Sequence, residues 1–402
     1  MNAVEAELTM RLASTATVRE ASRPRLVELL RRVDSRAYAR LLEARGLLAL
    51  LGSRAIELAP EAADEVLRSG VNAAMREARL RALRLDATLR QVVGALEERG
   101  ILALPLKGTT LADRIYGDAG LRPTTDVDVL APRTQIGAAV QALRALGYPA
   151  PEDPVWTKGL PEMHYTFVRG DPTLPRVELH WRVHWSERSF SDELLRSSTG
   201  ALDGFRRAKP PHELALLLLI YARDGLYGPR LVADIAAWWD QLGDRLAPGA
   251  LDGIVARNPA LRRSLVAALE CLQRFVGVPA GHVLTNAAPD RSTRRAIGVA
   301  DPLLADEGAD VVANIMLVDA LLSMGRGKLG FLRRYYLQPL PYVRSAYGLD
   351  KAPTAIAAGR SALHFMSDLV KKSPRMIRAA RRSPRRPILQ GSSDPMCGRR
   401  AR

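Results

Sequence analysis

The chain has 402 residues, 47% apolar and 5% aromatic, which is enough for two domains with a sizeable core and excludes a disordered chain. Its formal charge of +16 would suit a nucleic-acid binder, but +10 of it falls in residues 371–402, so the body is only mildly basic. Two distant cysteines, Cys271 and Cys397, exclude a disulfide framework and a CxxC zinc module.

The N-terminal stretch MNAVEAELTMRLAST carries acids and no apolar stretch of the secretory kind. The longest apolar run, residues 214–222, is too short to span a bilayer. A soluble protein of a reducing cytoplasm is expected, and the excess of Arg and Ala points to a GC-rich bacterial genome. Residues 1–99 form the first region. Apolar residues recur there at spacings of three and four, which predicts helices, and Gly100 stands where a helix stop belongs.

Residues 100–190 change pattern. ILALPLKG, residues 101–108, reads as a strand. A helix follows Gly108, with Thr109 or Thr110 as its cap. DVDVLAP, residues 126–132, is a second strand, and RTQIGAAVQALRALGY is an amphipathic helix stopped by Gly147. Residues 164–170 and 176–185 read as two more strands. Residues 191–370 are helical again, and the basic tail 371–402, rich in Pro, Ser and Arg, is expected to be disordered. The fold class is therefore α+β, a small mixed sheet with helices, flanked by mostly helical N- and C-terminal regions.

Two carboxylates interrupt the apolar run at 126–130. Alternation in a strand points Asp126 and Asp128 to one face and Val127 and Val129 to the other. Adjacent carboxylates repel and are costly to desolvate, unless a divalent cation sits between them. Hard oxygen donors of this kind suit Mg²⁺, with Mn²⁺ as a substitute. A solvated strand end is the plain alternative. The context favours chemistry, because the turn KGTT opens a helix whose N-terminal N–H groups can face an anion. Glu178, in the apolar strand VELHW, is a candidate third carboxylate.

The ordered set LPLKG (104–108), YGD (116–118), Arg122, DVDVL (126–130) and VELHW (177–181) resembles a bacterial family of uncharacterised nucleotidyltransferases. That family belongs to the DNA polymerase β-like nucleotidyltransferase superfamily. The resemblance covers about eighty residues, roughly a fifth of the chain. Thr109 stands where the superfamily usually has Ser, and the spacing from this turn to Asp126 is longer than its usual pattern. The resemblance implies a nucleotidyltransferase-like sheet at 100–190. It implies that Asp126, Asp128 and Glu178 are catalytic and hold metal, and that Lys107, Gly108, Thr109 and Arg122 bind nucleotide. An NTP, expected to be ATP, would give its NMP to a hydroxyl or phosphate of an acceptor the sequence leaves open: a small molecule, a peptide or a protein. Lys107 has the alternative of a solvated lysine, and Arg122 that of a structural partner of an Asp.

Other residues carry weaker readings. On a strand through residue 185, Glu178, His180, Arg182 and His184 would share a face, with His164 nearby. His180 is then either an active-site residue or a hydrogen-bonded sheet histidine. Trp181 and Trp185 argue for a strand, so a helical zinc arrangement is disfavoured. Asp224, Arg230 and Asp234 could line an acceptor pocket or serve as caps and ion pairs. The Trp238–Trp239 pair is expected to face a core on one side and a domain contact on the other, and Cys271 is expected to be buried. The tail could contact nucleic acid or an anionic surface, or simply be solvated. The rival function is a catalytically inactive protein of the same fold that binds nucleic acid or protein.

Overall fold

The computed structural model describes residues 1–149, 163–171, 174–201, 203–285, 287–303, 308–323, 331, 340, 344 and 353–380. The N-terminal helices are α1 (Ala3–Ala13), α2 (Ala16–Ala21), α3 (Arg23–Arg32), α4 (Ser35–Ala44), α5 (Ser53–Leu58) and the 33-residue α6 (Glu65–Glu97). Local chemistry sets their starts. The Asn2 side chain accepts the N–H groups of Val4 and Glu5 while Glu5 accepts that of Asn2, a capping box. Asp64 accepts the N–H of Leu67 and begins α6.

Four strands follow: β1 (Leu104–Pro105), β2 (Asp126–Leu130), β3 (His164–Phe167) and β4 (Arg176–His180). Their order is β1-β2-β4-β3, with β2 and β4 parallel and the outer pairings antiparallel. Helices α7 (Thr109–Tyr116) and α8 (Ile136–Ala145) lie between them in sequence. The sheet is thus small and mixed among flanking helices, as expected.

Two strands are shorter than the sequence suggests. The strand expected over 101–108 reduces to Leu104–Pro105, with one further bond from the Leu106 N–H to the Asp128 carbonyl at 3.1 Å before the chain turns at Gly108. The strand expected over 176–185 stops at His180. Beyond it the Glu187 carboxylate accepts the N–H groups of Val183 and His184 at 3.3 Å each, which a neighbouring strand would otherwise use. His184 is therefore off the face of Glu178 and His180.

The remainder is α9 (Phe190–Ser197), a hairpin of β5 (Thr199–Gly200) and β6 (Arg206–Arg207), and α10 (Pro210–Arg223), α11 (Pro229–Leu242), α12 (Asp252–Arg257), α13 (Arg262–Val276), α14 (Ala280–Val283), α15 (Arg291–Val299), α16 (Gly308–Leu322) and α17 (Thr354–Ala380). Helix α17 continues through residues 371–380, the start of the segment expected to be disordered, and residues 381–402 lie outside the described residues.

Two cores hold these elements. In one, Val127, Val129, Tyr165, Phe167, Val177 and Leu179 cover one sheet face and pack with α8 and with Leu85, Leu89, Val92 and Leu96 of α6. The other joins α1 to α5 and the first half of α6 to α10, α11 and α13. Trp238 is buried in it and donates Nε1–H to Glu213 at 2.6 Å, while Trp239 is only partly buried. Cys271 is buried, and burial pushes its thiol up to about 12, so it is inert.

Candidate active site

The turn after β1 needs a glycine. Gly108 has φ +82° and ψ −139°, backbone that a side chain rarely permits. It is the N-cap of α7, so the free N–H groups of that helix begin at Thr109. They open on a cleft lined by Leu85, Leu89, Lys107, Gly108, Thr109, Asp126, Val127 and Asp128. The two leucines come from α6, which thereby supplies the apolar wall.

Strand register brings in the rest. Asp128 is paired with Glu178 across the parallel β2–β4 junction, and Glu178 with Thr166 across β3–β4. Asp126, Asp128 and Glu178 each offer a carboxylate oxygen, and these lie within 4.8 Å of one another. His180, two residues after Glu178, is on the same face. Its Nε2 is 3.1 Å from Asp128 Oδ1 and 3.3 Å from Glu178 Oε2. His164, paired with His180, places its Nε2 3.9 Å from Glu178 Oε2. Lys107 Nζ is 3.2 Å from Asp128 Oδ2, and the Thr124 hydroxyl donates to Asp126 at 3.2 Å.

The charges are interdependent. Burial alone would raise the Asp128 carboxyl, but Lys107 and His180 outweigh it and hold it well below the usual carboxylate range. The hydrogen bond from His180 leads the downward shift of Glu178, against its burial. Burial would lower His180, yet Asp128 and Glu178 outweigh that and raise it. Burial and the neighbouring His180 depress His164 to about 4. Burial opposes the charge of Lys107, and Asp128 with Asp126 more than restores it. The arrangement is an anionic cluster on a sheet face beside a helix N-terminus, with one lysine at its edge.

Other candidates are placed elsewhere. Arg122 is buried with its Nε donating to Asp234 Oδ2 at 2.8 Å, and Tyr116 donates to the other oxygen at 2.9 Å. Of the two expectations for Arg122, phosphate cation and partner of an Asp, this geometry favours the second, because the desolvated guanidinium is already paired. Asp224 accepts from Arg223 at 2.9 Å, and Arg230 donates to the Arg45 carbonyl at 3.3 Å. The trio Asp224, Arg230 and Asp234 thus makes separate ties, to Arg223, to the Arg45 carbonyl and to Arg122. His184 Nδ1 accepts the N–H of Ser186. The YGD motif is architectural here. Tyr116 ties to Asp234, Gly117 ends α7 at φ +69°, and Asp118 caps the next turn and pairs with Arg79.

One residue escaped sequence reasoning. Arg223 ends α10, and burial, which lowers its pKa, is outweighed by Asp224 with further contributions from Asp128 and Glu178. It is therefore a second cation within electrostatic reach of the carboxylates. Its signal, an arginine closing a buried apolar helix, is too common to single out.

A family model described as an uncharacterised nucleotidyltransferase matches residues 31–277, which spans every residue of this cluster. No curated protein and no solved structure matches the chain. No helix among the described residues is long and apolar enough to cross a membrane.

Proposed function

Because the chain belongs to the family of uncharacterised nucleotidyltransferases, we propose that it moves a nucleoside monophosphate from an NTP, ATP being the first choice, to a hydroxyl or phosphate acceptor at the Asp126–Asp128–Glu178 cluster. The observation that carries this is the β2–β4 register, which sets Glu178 beside Asp128 on the face that meets the Gly108 turn. The donor set fits the divalent cation that such transfer uses. Three carboxylates with oxygens within 4.8 Å of one another are hard ligands, suited to Mg²⁺ or Mn²⁺.

Asp126, Asp128 and Glu178 would hold the cations. When bound, these neutralise phosphate charge and lower the pKa of an attacking hydroxyl. The chain supplies position. Gly108 and Thr109 present backbone N–H groups of the α7 N-terminus to phosphate oxygens, and Lys107 adds a charge at the same edge. Leu85 and Leu89 exclude water from one wall of the cleft. The acceptor oxygen bonds to the α-phosphorus, the bond to the bridging oxygen of the β-phosphate breaks, and pyrophosphate leaves with that electron pair. The hydroxyl proton passes to a carboxylate or to solvent.

Mg²⁺-dependent ATP and GTP binding, measured by calorimetry on wild type and on Asp126→Asn/Asp128→Asn, tests the reading. Wild type should bind, and the double variant should bind at least tenfold more weakly while keeping its circular dichroism. Equal binding by a folded double variant would sink the assignment of the acids. No NTP binding by wild type would leave the inactive, binding-protein reading in its place.

A further inference from the structure

The carboxylate face carries a second donor set of different chemistry. His164, Glu178 and His180 each offer one ligand atom, and these atoms also lie within 4.8 Å of one another. We propose that these three residues form a separate cation site that takes a first-row transition ion through imidazole nitrogen. Glu178 would bridge it to the Asp126–Asp128 side. The proposal leans on the nucleotidyltransferase reading only through that shared carboxylate.

Register builds the site. Antiparallel pairing sets His164 opposite His180 and Thr166 opposite Glu178, so both rings and the carboxylate rise from adjacent strands on one face. The ring centroids are 4.7 Å apart. Glu178 Oε2 stands 3.3 Å from His180 Nε2 and 3.9 Å from His164 Nε2. Ligands around a tetrahedral ion with bonds of about 2.0–2.1 Å are separated by about 3.3–3.5 Å. The two spacings to Glu178 are at or within about 0.6 Å of that, and the third lies within 4.8 Å.

Hydrogen bonding accounts for His180 Nε2, which meets Asp128 at 3.1 Å, but not for the other nitrogens of these rings. The Nδ1 atoms of His164 and His180 are buried with no hydrogen-bond partner. The Nε2 of His164 stands 3.9 Å from Glu178, beyond hydrogen-bond distance, on a side chain that is partly exposed. A histidine kept to satisfy a sheet edge would use at least one nitrogen. A partly exposed imidazole nitrogen with a carboxylate in front of it is placed as a metal ligand would be.

Donor chemistry separates the two halves. Carboxylates alone suit Mg²⁺ or Mn²⁺, whereas imidazole suits Co²⁺, Ni²⁺ and Zn²⁺. A shared carboxylate is a natural bridge for two ions about 3.5–4 Å apart. The His side would therefore retain a transition ion against a large excess of Mg²⁺, while the Asp side exchanges with the metal that accompanies the nucleotide.

Co²⁺ titration of the full chain in excess Mg²⁺, followed by visible absorption, tests this directly. Wild type should develop ligand-field bands and hold Co²⁺ against Mg²⁺. His164→Ala changes a side chain that is 32% exposed, so it should fold. It should bind Co²⁺ at least tenfold more weakly, with weaker bands. Asp126→Asn should keep the bands. A His164→Ala protein that titrates like wild type overturns the proposal, as does a wild type whose Co²⁺ is fully displaced by Mg²⁺. Loss of the bands in Asp126→Asn with retention in His164→Ala would place the ion among the carboxylates alone, and also overturn it. Mg²⁺–ATP binding by the same proteins is read separately. Its absence in wild type would sink nucleotidyl transfer and leave the Co²⁺ result standing.

Discussion

Glu187 is a carboxyl that folding buries, with Arg182 only partly offsetting the cost. It is 3% exposed, and its oxygen takes the N–H groups of Val183 and His184. Burial pushes it up from 4.5 to about 7. A folded chain that holds this proton more tightly than the unfolded chain is most stable below the unfolded value. Stability then falls as pH rises from about 4.5 to about 7, and the full cost persists above that. The shift corresponds to about 3 kcal/mol. Glu187→Gln keeps an acceptor for the two N–H groups and removes the ionisation. Its urea midpoint should rise relative to wild type between pH 5 and pH 8, and a gap that stays constant across that range would refute the linkage.

At the scale of elements, the Arg122–Asp234 pair ties the loop before β2 to α11, and Tyr116 at the end of α7 joins the same carboxylate. Both charges are buried, so removing one strands the other. Asp234→Ala should cost about 3–5 kcal/mol, read as a drop in denaturant midpoint. Arg122→Met/Asp234→Leu should recover most of that loss and leave Mg²⁺–ATP binding intact, since neither residue then needs to be charged. Loss of nucleotide binding in a folded double variant would restore Arg122 as a phosphate ligand. Elements also decide what could be read in advance. The alternation DVDVL announces which face its acids share, and the apolar spacing of residues 65–97 announces α6, because both are local periodicities. The partner of Arg122 is 112 residues away, and no local pattern names it. The end of β4 depends on a carboxylate seven residues after it. The β5–β6 hairpin has two-residue strands, Thr199–Gly200 and Arg206–Arg207, too short to show any alternation. The closeness of His164 to His180 depends on antiparallel register, which sequence spacing does not fix.

Across the whole molecule, the N-terminal helices and helices that follow the sheet share a core. Leu8, Met10 and Leu12 of α1 are buried in the same cluster as Val232, Ile235 and Trp238 of α11 and Leu265 and Leu269 of α13. The Thr15 N–H donates to the Val276 carbonyl at 3.0 Å, and that of Ala16 to Asp240 at 2.9 Å. Helix α6 enters both cores, with Leu67 and Val71 in one and Leu85 and Leu89 in the other. Removing residues 1–44 would uncover several large side chains at once, each costing about 2–5 kcal/mol when its packing is lost. A chain starting at residue 45 should therefore lose its cooperative thermal transition and its near-ultraviolet dichroism. Unfolding at the wild-type midpoint would show instead that the N-terminal helices are dispensable.

The parallel pairing of β2 with β4 has a consequence in time. His180 meets Asp128 across 52 residues of chain, and β3 must be inserted beside β4 before the cluster is complete. Such a junction bears a loop-closure entropy that local helical contacts do not, so it is expected to form after them. If so, an ion bound there would have little to grip in the transition state and would do little to hasten folding. It would act on the return journey, lengthening the lifetime of the native chain by slowing its unfolding.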